Sequence, residues 1–279
     1  TTLQIVLQKA TPSSLTQRQR YEKTPDSEDL ALIEKIEQAG FPFWFPTDRM
    51  PEGDESRRND DIGITHVHHF YTKRSLWTWA CLTEKVRSVP EGVRARLLFW
   101  LQSVALGQTL LNRYLAASFS QVNRYLKGTL YVAPFVSEVS PRYALRGKIK
   151  ANKRASVGSL YSTMISSGSA TSVLVPDNSV DYVFTDPPFG ANINYSDLNF
   201  IWESWLGVAT SNPQEAVVSK AQSKKLIDYQ RLMVECFEEC FRLLKPGRWM
   251  TVEFHNSSNA VWNAIQEAII RAGFVVADV

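Results

Sequence analysis

The 279 residues carry a net charge of +3, with 44% hydrophobic and 21% charged side chains, the balance of an ordinary globular chain that can hold one large or two smaller domains. That charge is too small to diagnose a nucleic-acid binder, so any basic surface must be local. Three cysteines exclude a disulfide scaffold and suit a reducing cytoplasm, and the most apolar stretch, Leu97 to Leu115, is broken by Gln102, Gln108, Asn112 and Arg113, short of the ~20 apolar residues of a membrane span.

Residues 1 to 23 are polar and have no clear period. Thr24-Pro25-Asp26-Ser27-Glu28 predicts a helix start, with Thr24 as cap and Pro25 in the first turn, and the helix continues through Leu30, Ile33 and Ile36 to Gly40. Phe41-Pro42-Phe43-Trp44-Phe45-Pro46 is too rich in proline for a central strand and predicts an extended aromatic loop. The charged segment Glu52 to Asp61 follows, then two helices, over Ser75 to Arg87 and Glu91 to Ala117, from apolar residues at helical spacing. Residues 1–150 therefore read as a mainly helical region.

From residue 151 the period changes. Ser156 to Ile165 predicts extended chain, Gly168-Ser169-Ala170-Thr171 a loop, and Tyr182 to Thr185 a short buried strand. Leu198 to Leu206 predicts a short helix and Lys224 to Leu244 a long one, ended by Pro246-Gly247. Trp249 to Phe254 is the next predicted strand, Ser258 to Ala272 a helix closed by Gly273, and Phe274 to Val279 a last strand. Strand, helix, strand, helix, strand is the pattern of a doubly wound, Rossmann-like parallel sheet over residues 151–279. Ligands in such sheets sit beyond the carboxyl ends of the strands, where Asp186 and His255-Asn256 fall.

Asp186-Pro187-Pro188-Phe189-Gly190, directly after the apolar run Val180 to Thr185, carries the most chemistry. The lone pair of an exocyclic amino nitrogen on a nucleobase is delocalised into the ring. Two acceptors aimed at its N–H bonds draw it toward a geometry that can attack a sulfonium methyl. The Asp186 carboxylate and the Pro187 carbonyl can be those acceptors, Pro188 stiffens the backbone, and Phe189 can stack on a base turned out of its helix. The other reading is a strand-ending turn, where Asp, Pro and Gly are common.

At these residues the chain resembles the bacterial and archaeal site-specific DNA methyltransferases that modify adenine N6 or cytosine N4. The resemblance extends through Asn194-Tyr195-Ser196-Asp197-Leu198-Asn199, Trp202-Glu203-Ser204-Trp205-Leu206, Leu244 to Trp249 and Thr251 to Asn256, and covers residues 155–279. It implies a Rossmann-like fold, S-adenosylmethionine as cofactor, DNA as partner and methyl transfer to adenine N6, with room for a restriction partner. It implies a catalytic set of Asp186, Pro187, Pro188 and Phe189. Gly190, Asn192, Asn194, Tyr195, His255 and Asn256 would contact substrate, with Trp202, Glu203 and Trp205 walling the base pocket. Thr72 and Lys73, at a helix start suited to an anion, would join Ser169 and Asp186 around the cofactor. The family's glycine-rich Phe-x-Gly-x-Gly loop is missing from the sequence, which reads as loss of an N-terminal part or as a degenerate member. Transfer to RNA or to protein glutamine, or an inactive DNA-binding relative, are the alternatives.

His66, His68 and His69 lack a cysteine nearby, and Cys236 and Cys240 are half a site at most, so no metal is expected. Arg142, Arg146, Lys148, Lys150, Lys153 and Arg154 run without an intervening acid, with Arg124, Tyr125 and Lys127 upstream. They read as a phosphate track or as a solvated face.

Overall fold

The computed structural model describes residues 23–115, 125–155, 163–191 and 193–277, the side chains of residues 150 and 153–155 excepted. In chain order it forms α1 (Ser27–Gln38), α2 (Asp54–Arg57), α3 (Lys73–Arg87), α4 (Glu91–Gln102), α5 (Pro141–Ala155), β1 (Val180–Thr185), α6 (Tyr195–Leu206), α7 (Leu226–Leu243), β2 (Leu244–Val252) and α8 (Asn259–Arg271), a mixed α/β set. The chain divides into two compact units that interleave in sequence. The first is Thr1–Thr47, His68–Tyr125 and Val132–Ala155; the second is Asp48–Val67, Leu126–Tyr131 and Ser156–Val279. Two segments of the predicted helical region, 48–67 and 126–131, thus cluster with the α/β unit.

In the first unit α1 begins at Ser27 because Asp26, rather than Thr24, is the cap. Its carboxylate accepts from the Glu28 and Asp29 amides at 3.1 and 3.0 Å, and the Asp29 side chain accepts from Asp26 N in return. Thr72 caps α3, its hydroxyl accepting from Ser75 N at 3.2 Å. The helix expected to reach Ala117 stops at Gln102. Ser103 donates its hydroxyl to Trp100 O, Thr109 donates to Leu106 O, and Leu110 N goes to Phe70 O at 2.7 Å. These bonds give the backbone an alternative to the helical ladder. Val104 and Leu111, which suggest a longer helix, are nevertheless buried outside any α-helix. Helix α5 presents Ala144 and Leu145 inward, and Trp100 on α4 donates its indole N–H to Leu145 O at 3.0 Å.

The second unit is built on β1 and β2, which run parallel with Tyr182 opposite Trp249, Phe184 opposite Thr251 and Thr185 opposite Val252. Tyr229, Met233 and Phe237 recur at helical spacing on α7 and meet Val261, Ile265 and Ala268 of α8 and Ala272, its C-cap. Burial of each large side chain contributes about 1.5–3 kcal/mol. Met250, Val252 and Phe254 pack against this cluster and seat one face of the sheet on the helices. The opposite face is bare. Tyr182, Phe184 and Trp249 are 52%, 59% and 66% exposed, so β1 is not the buried strand its apolar run predicts. A parallel strand is enclosed only where layers cover both faces, and among the described residues helices pack on one.

The strand predicted over Phe274 to Val279 is also not formed within its described part, 274–277. Phe274 N closes the end of α8 on Ile269 O at 3.2 Å, and its ring meets Phe241 edge-on at 5.2 Å. Of the extended segment expected at Ser156 to Ile165, residues 156–162 lie outside the described residues and 163–165 have no regular structure. Among the described residues no helix is long and apolar enough to cross a membrane.

Candidate catalytic loop

β1 ends at Thr185, whose carbonyl accepts from Glu253 N at 2.9 Å, so the chain leaves the sheet in a fixed direction. Pro187 and Pro188 follow, and each fixes φ and lacks an N–H. Beyond them the second unit pins two successive carbonyls. The Tyr229 hydroxyl donates to Pro188 O at 2.6 Å, and Asn256 Nδ2 donates to Phe189 O at 2.7 Å. Gly190 turns the loop at φ 73°, where a Cβ would lie 3.3 Å from Val261 Cγ1, and its carbonyl accepts from Val218 N. Only glycine combines that backbone with that approach at little cost.

The two acceptors in front of this pinned pair are unengaged. Among the described residues the Asp186 carboxylate, which is exposed, has no hydrogen-bond or ion-pair partner, and no backbone N–H reaches the Pro187 carbonyl. Asp186 and Pro187 are thus adjacent acceptors on a stiffened backbone, the first open to solvent. A donor with two N–H bonds matches such a pair. Burial, and then the negative charge of Asp186, push the Tyr195 phenol above its ordinary value and keep it a neutral donor. Phe189 is half-buried and meets Phe254 edge-on at 5.4 Å, and Phe254 meets Trp262 in the same way at 5.2 Å.

Several residues expected at the site do other work. Asn256, expected to contact substrate, is 7% exposed and fully committed: Nδ2 to Phe189, Oδ1 to Ser258 N at 2.7 Å, and its carbonyl to the Trp262 indole at 2.8 Å. It holds the loop from beneath. Trp205, at 1% exposure, is core, and Glu203 accepts from Thr210 N and Oγ1 in the turn after α6, so neither walls a pocket. His255 is exposed and Asn194 half-buried at the start of α6. Asn192 lies outside the described residues.

The Ser169 hydroxyl shares a bond of 2.8 Å with Thr171 Oγ1 and accepts from Thr171 N, a local turn. Thr72 and Lys73 belong to the first unit. There Glu138 fills the anion position at the start of α3, accepting from Thr72 Oγ1 at 2.8 Å, Ser75 Oγ at 3.0 Å and the Arg74 guanidinium. Burial raises the Glu138 carboxyl, but these donors outweigh it and hold it below the usual range. Lys73 donates to Glu37 O and lies 5.6 Å from the Phe41 ring. It lines a cavity of about 720 Å³ with Leu32, Ile36, Phe41, Pro42 and Trp77, none of them in the Asp186–Gly190 loop.

Sequence reasoning missed two residues. Tyr229 sits on the buried stripe of α7 with Met233 and Phe237, and its signal is the hydroxyl, which needs a partner when buried. Asp197, 1% exposed, accepts from Glu55 N and Ser56 N, both at 3.2 Å, and so ties α2 to α6. Gly53 permits this approach, since a Cβ there would fall 2.0 Å from Asp197 Oδ2. Glu55 in turn accepts from Thr129 Oγ1 and Leu130 N, and Asn59 donates to Leu130 O. Among the described residues no three metal-ligating side chains come together. Comparison of the chain with protein-family models, with curated proteins and with solved structures found no significant match in any of the three.

Proposed function

We propose that residues 151–279 form the catalytic part of a Rossmann-like DNA amino-methyltransferase that acts on adenine N6, with Asp186 and Pro187 as acceptors for the target amino group. One observation carries the reading. In a loop where the Pro188 and Phe189 carbonyls are tied down by Tyr229 and Asn256, the Asp186 carboxylate and the Pro187 carbonyl have no partner among the described residues. An unpaired acceptor pair on a backbone already held in place costs little reorganisation when an amino donor arrives. The role of these groups is to bind both N–H bonds and orient the nitrogen lone pair. Phe189 offers a ring to the base.

S-adenosylmethionine is the proposed methyl donor, and it would supply an activated sulfonium methyl. Thr72 and Lys73 do not fit its carboxylate, because Glu138 and the Glu37 carbonyl already hold their donors. Its binding is therefore not assigned to them. The test is transfer of radiolabelled methyl from S-adenosylmethionine to duplex DNA by the full chain and by Asp186→Ala. The variant is expected to lose transfer and keep its circular dichroism and melting temperature, since the exposed Asp186 carboxylate makes no hydrogen bond or ion pair among the described residues. Retained transfer would sink the assignment.

A further inference from the structure

Helix α5 carries the largest net charge of the described helices, and the catalytic reading leaves it unused. Its 15 residues hold six Lys and Arg and no acid, twice the net charge of the entire chain, so the rest of the sequence is net negative. Arg142, Arg146, Lys150 and Lys153 recur at i, i+4, i+8 and i+11, which places their backbone positions on one stripe ~16 Å long with about one cation per turn. Arg142 and Arg146 are exposed and have no hydrogen-bond or ion-pair partner among the described residues, and Tyr143 beside them is 52% exposed. Arg57, Arg58, Arg74 and Arg242, by contrast, are each held by a carboxylate. The apolar side of the helix is already spent, since Ala144 and Leu145 are buried and Trp100 bonds the Leu145 carbonyl. A helix that lies in a membrane surface keeps its apolar face for the lipid.

We propose that α5 is a phosphate-tracking helix that docks along one strand of duplex DNA, independent of base sequence. The ~16 Å line of cationic positions spans close to half a helical turn of duplex, and each phosphate neutralised releases a condensed counterion. Tyr143 lies at the edge of the stripe, where it can donate to a phosphate oxygen. The choice of DNA rests on the methyltransferase reading; the phosphate contact does not.

The experiment is fluorescence anisotropy of a labelled 20-base-pair DNA duplex titrated with the full chain across a salt series. Arg142→Gln/Arg146→Gln should flatten the slope of log K against log salt by about 2, at ~0.9 per phosphate contact. It should also weaken unrelated duplexes by a common factor. Arg142→Lys/Arg146→Lys should keep most of the slope, and melting temperatures should match, because both side chains are exposed. An unchanged slope in the Gln variant would overturn the proposal, as would no duplex binding by the unaltered chain, tighter binding to duplex RNA, or α5-dependent binding to anionic vesicles instead. Methyl transfer by the unaltered chain, measured beside the α5 variants, separates the two ideas. If duplex binding depends on α5 while the unaltered chain transfers no methyl group, only the catalytic reading falls; if transfer proceeds with a salt slope indifferent to α5, only this one does.

Discussion

Tyr229→Phe tests whether the loop is held from below as described. Tyr229 is fully buried, and its hydroxyl donates to Pro188 O at 2.6 Å. Burial, and then Tyr195 nearby, push this phenol well above its ordinary value, so it stays a neutral donor at any working pH. Phenylalanine keeps the ring and its packing against the α7–α8 cluster and removes only the donor. The lost bond should cost ~1 kcal/mol net, and the half-buried Pro188 carbonyl, which water can partly reach, adds the low end of the penalty for an unsatisfied acceptor. The sum is about 1–2 kcal/mol, a fall in melting temperature of roughly 2–6 °C for a chain of this size. Urea titration should shift the midpoint and leave the denaturant slope unchanged. Tyr182→Phe is the internal control. Its hydroxyl also makes a short bond, to Thr251 Oγ1 at 2.7 Å, but on the bare face of the sheet, so its loss should stay within about 0.5 kcal/mol. Equal losses in the two variants, or none in Tyr229→Phe, would refute the claim that Tyr229 anchors the loop.

Gly190→Ala should destabilise by about 1–2 kcal/mol, because the residue would be held at positive φ and its methyl pressed toward Val261; a neutral result in thermal melts would mean that the turn is not formed as described. Asp197→Asn should stabilise the protein at neutral pH. Burial raises the Asp197 carboxyl, with the charge of Glu215 adding to it against the amides of Ser56 and Glu55. Its contribution to stability is therefore fully present below the ordinary value of ~3.9 and is lost as pH rises through the higher folded value. Asparagine keeps an acceptor for both amides and does not titrate, so its advantage in melting temperature should vanish near pH 4 and grow above it. Parallel pH profiles for the two proteins would contradict this sign.

The loop was legible because its five residues adjoin and follow an apolar strand, so composition and order alone placed two prolines and an acid at a strand end. Its supports were not. Tyr229 and Asn256 lie 41 and 67 residues beyond the carbonyls they hold, and no local spacing links them. Asn256 looked like a ligand contact because polar residues at strand ends often are; only burial showed it pointing inward. The length of α4 was misjudged for a different reason. Val104 and Leu111 keep helical spacing, yet Ser103 and Thr109 bond their own backbone and turn the chain. In β1 the apolar run was taken for enclosure on both faces, but such a run reports hydrophobicity and not how many layers cover it. The parallel pairing of β1 with β2, and the existence of α7 and α8, followed the strand–helix–strand order closely enough to be anticipated in kind.

The interleaving of the two units governs how the chain can reach its structure. The amides of Glu55 and Ser56 find their acceptor, Asp197, only 142 and 141 residues later, and Glu55 meets Thr129 and Leu130 after 74 and 75. A ribosome that has released the first 150 residues has therefore delivered two pieces of the second unit, 48–67 and 126–131, that can meet each other but not yet Asp197. Contacts at this separation must wait for loop closure and slow the search. The same wiring makes the middle of the sequence a poor place to divide the protein, since a piece starting at residue 151 would leave Asp197 buried against a segment it no longer possesses.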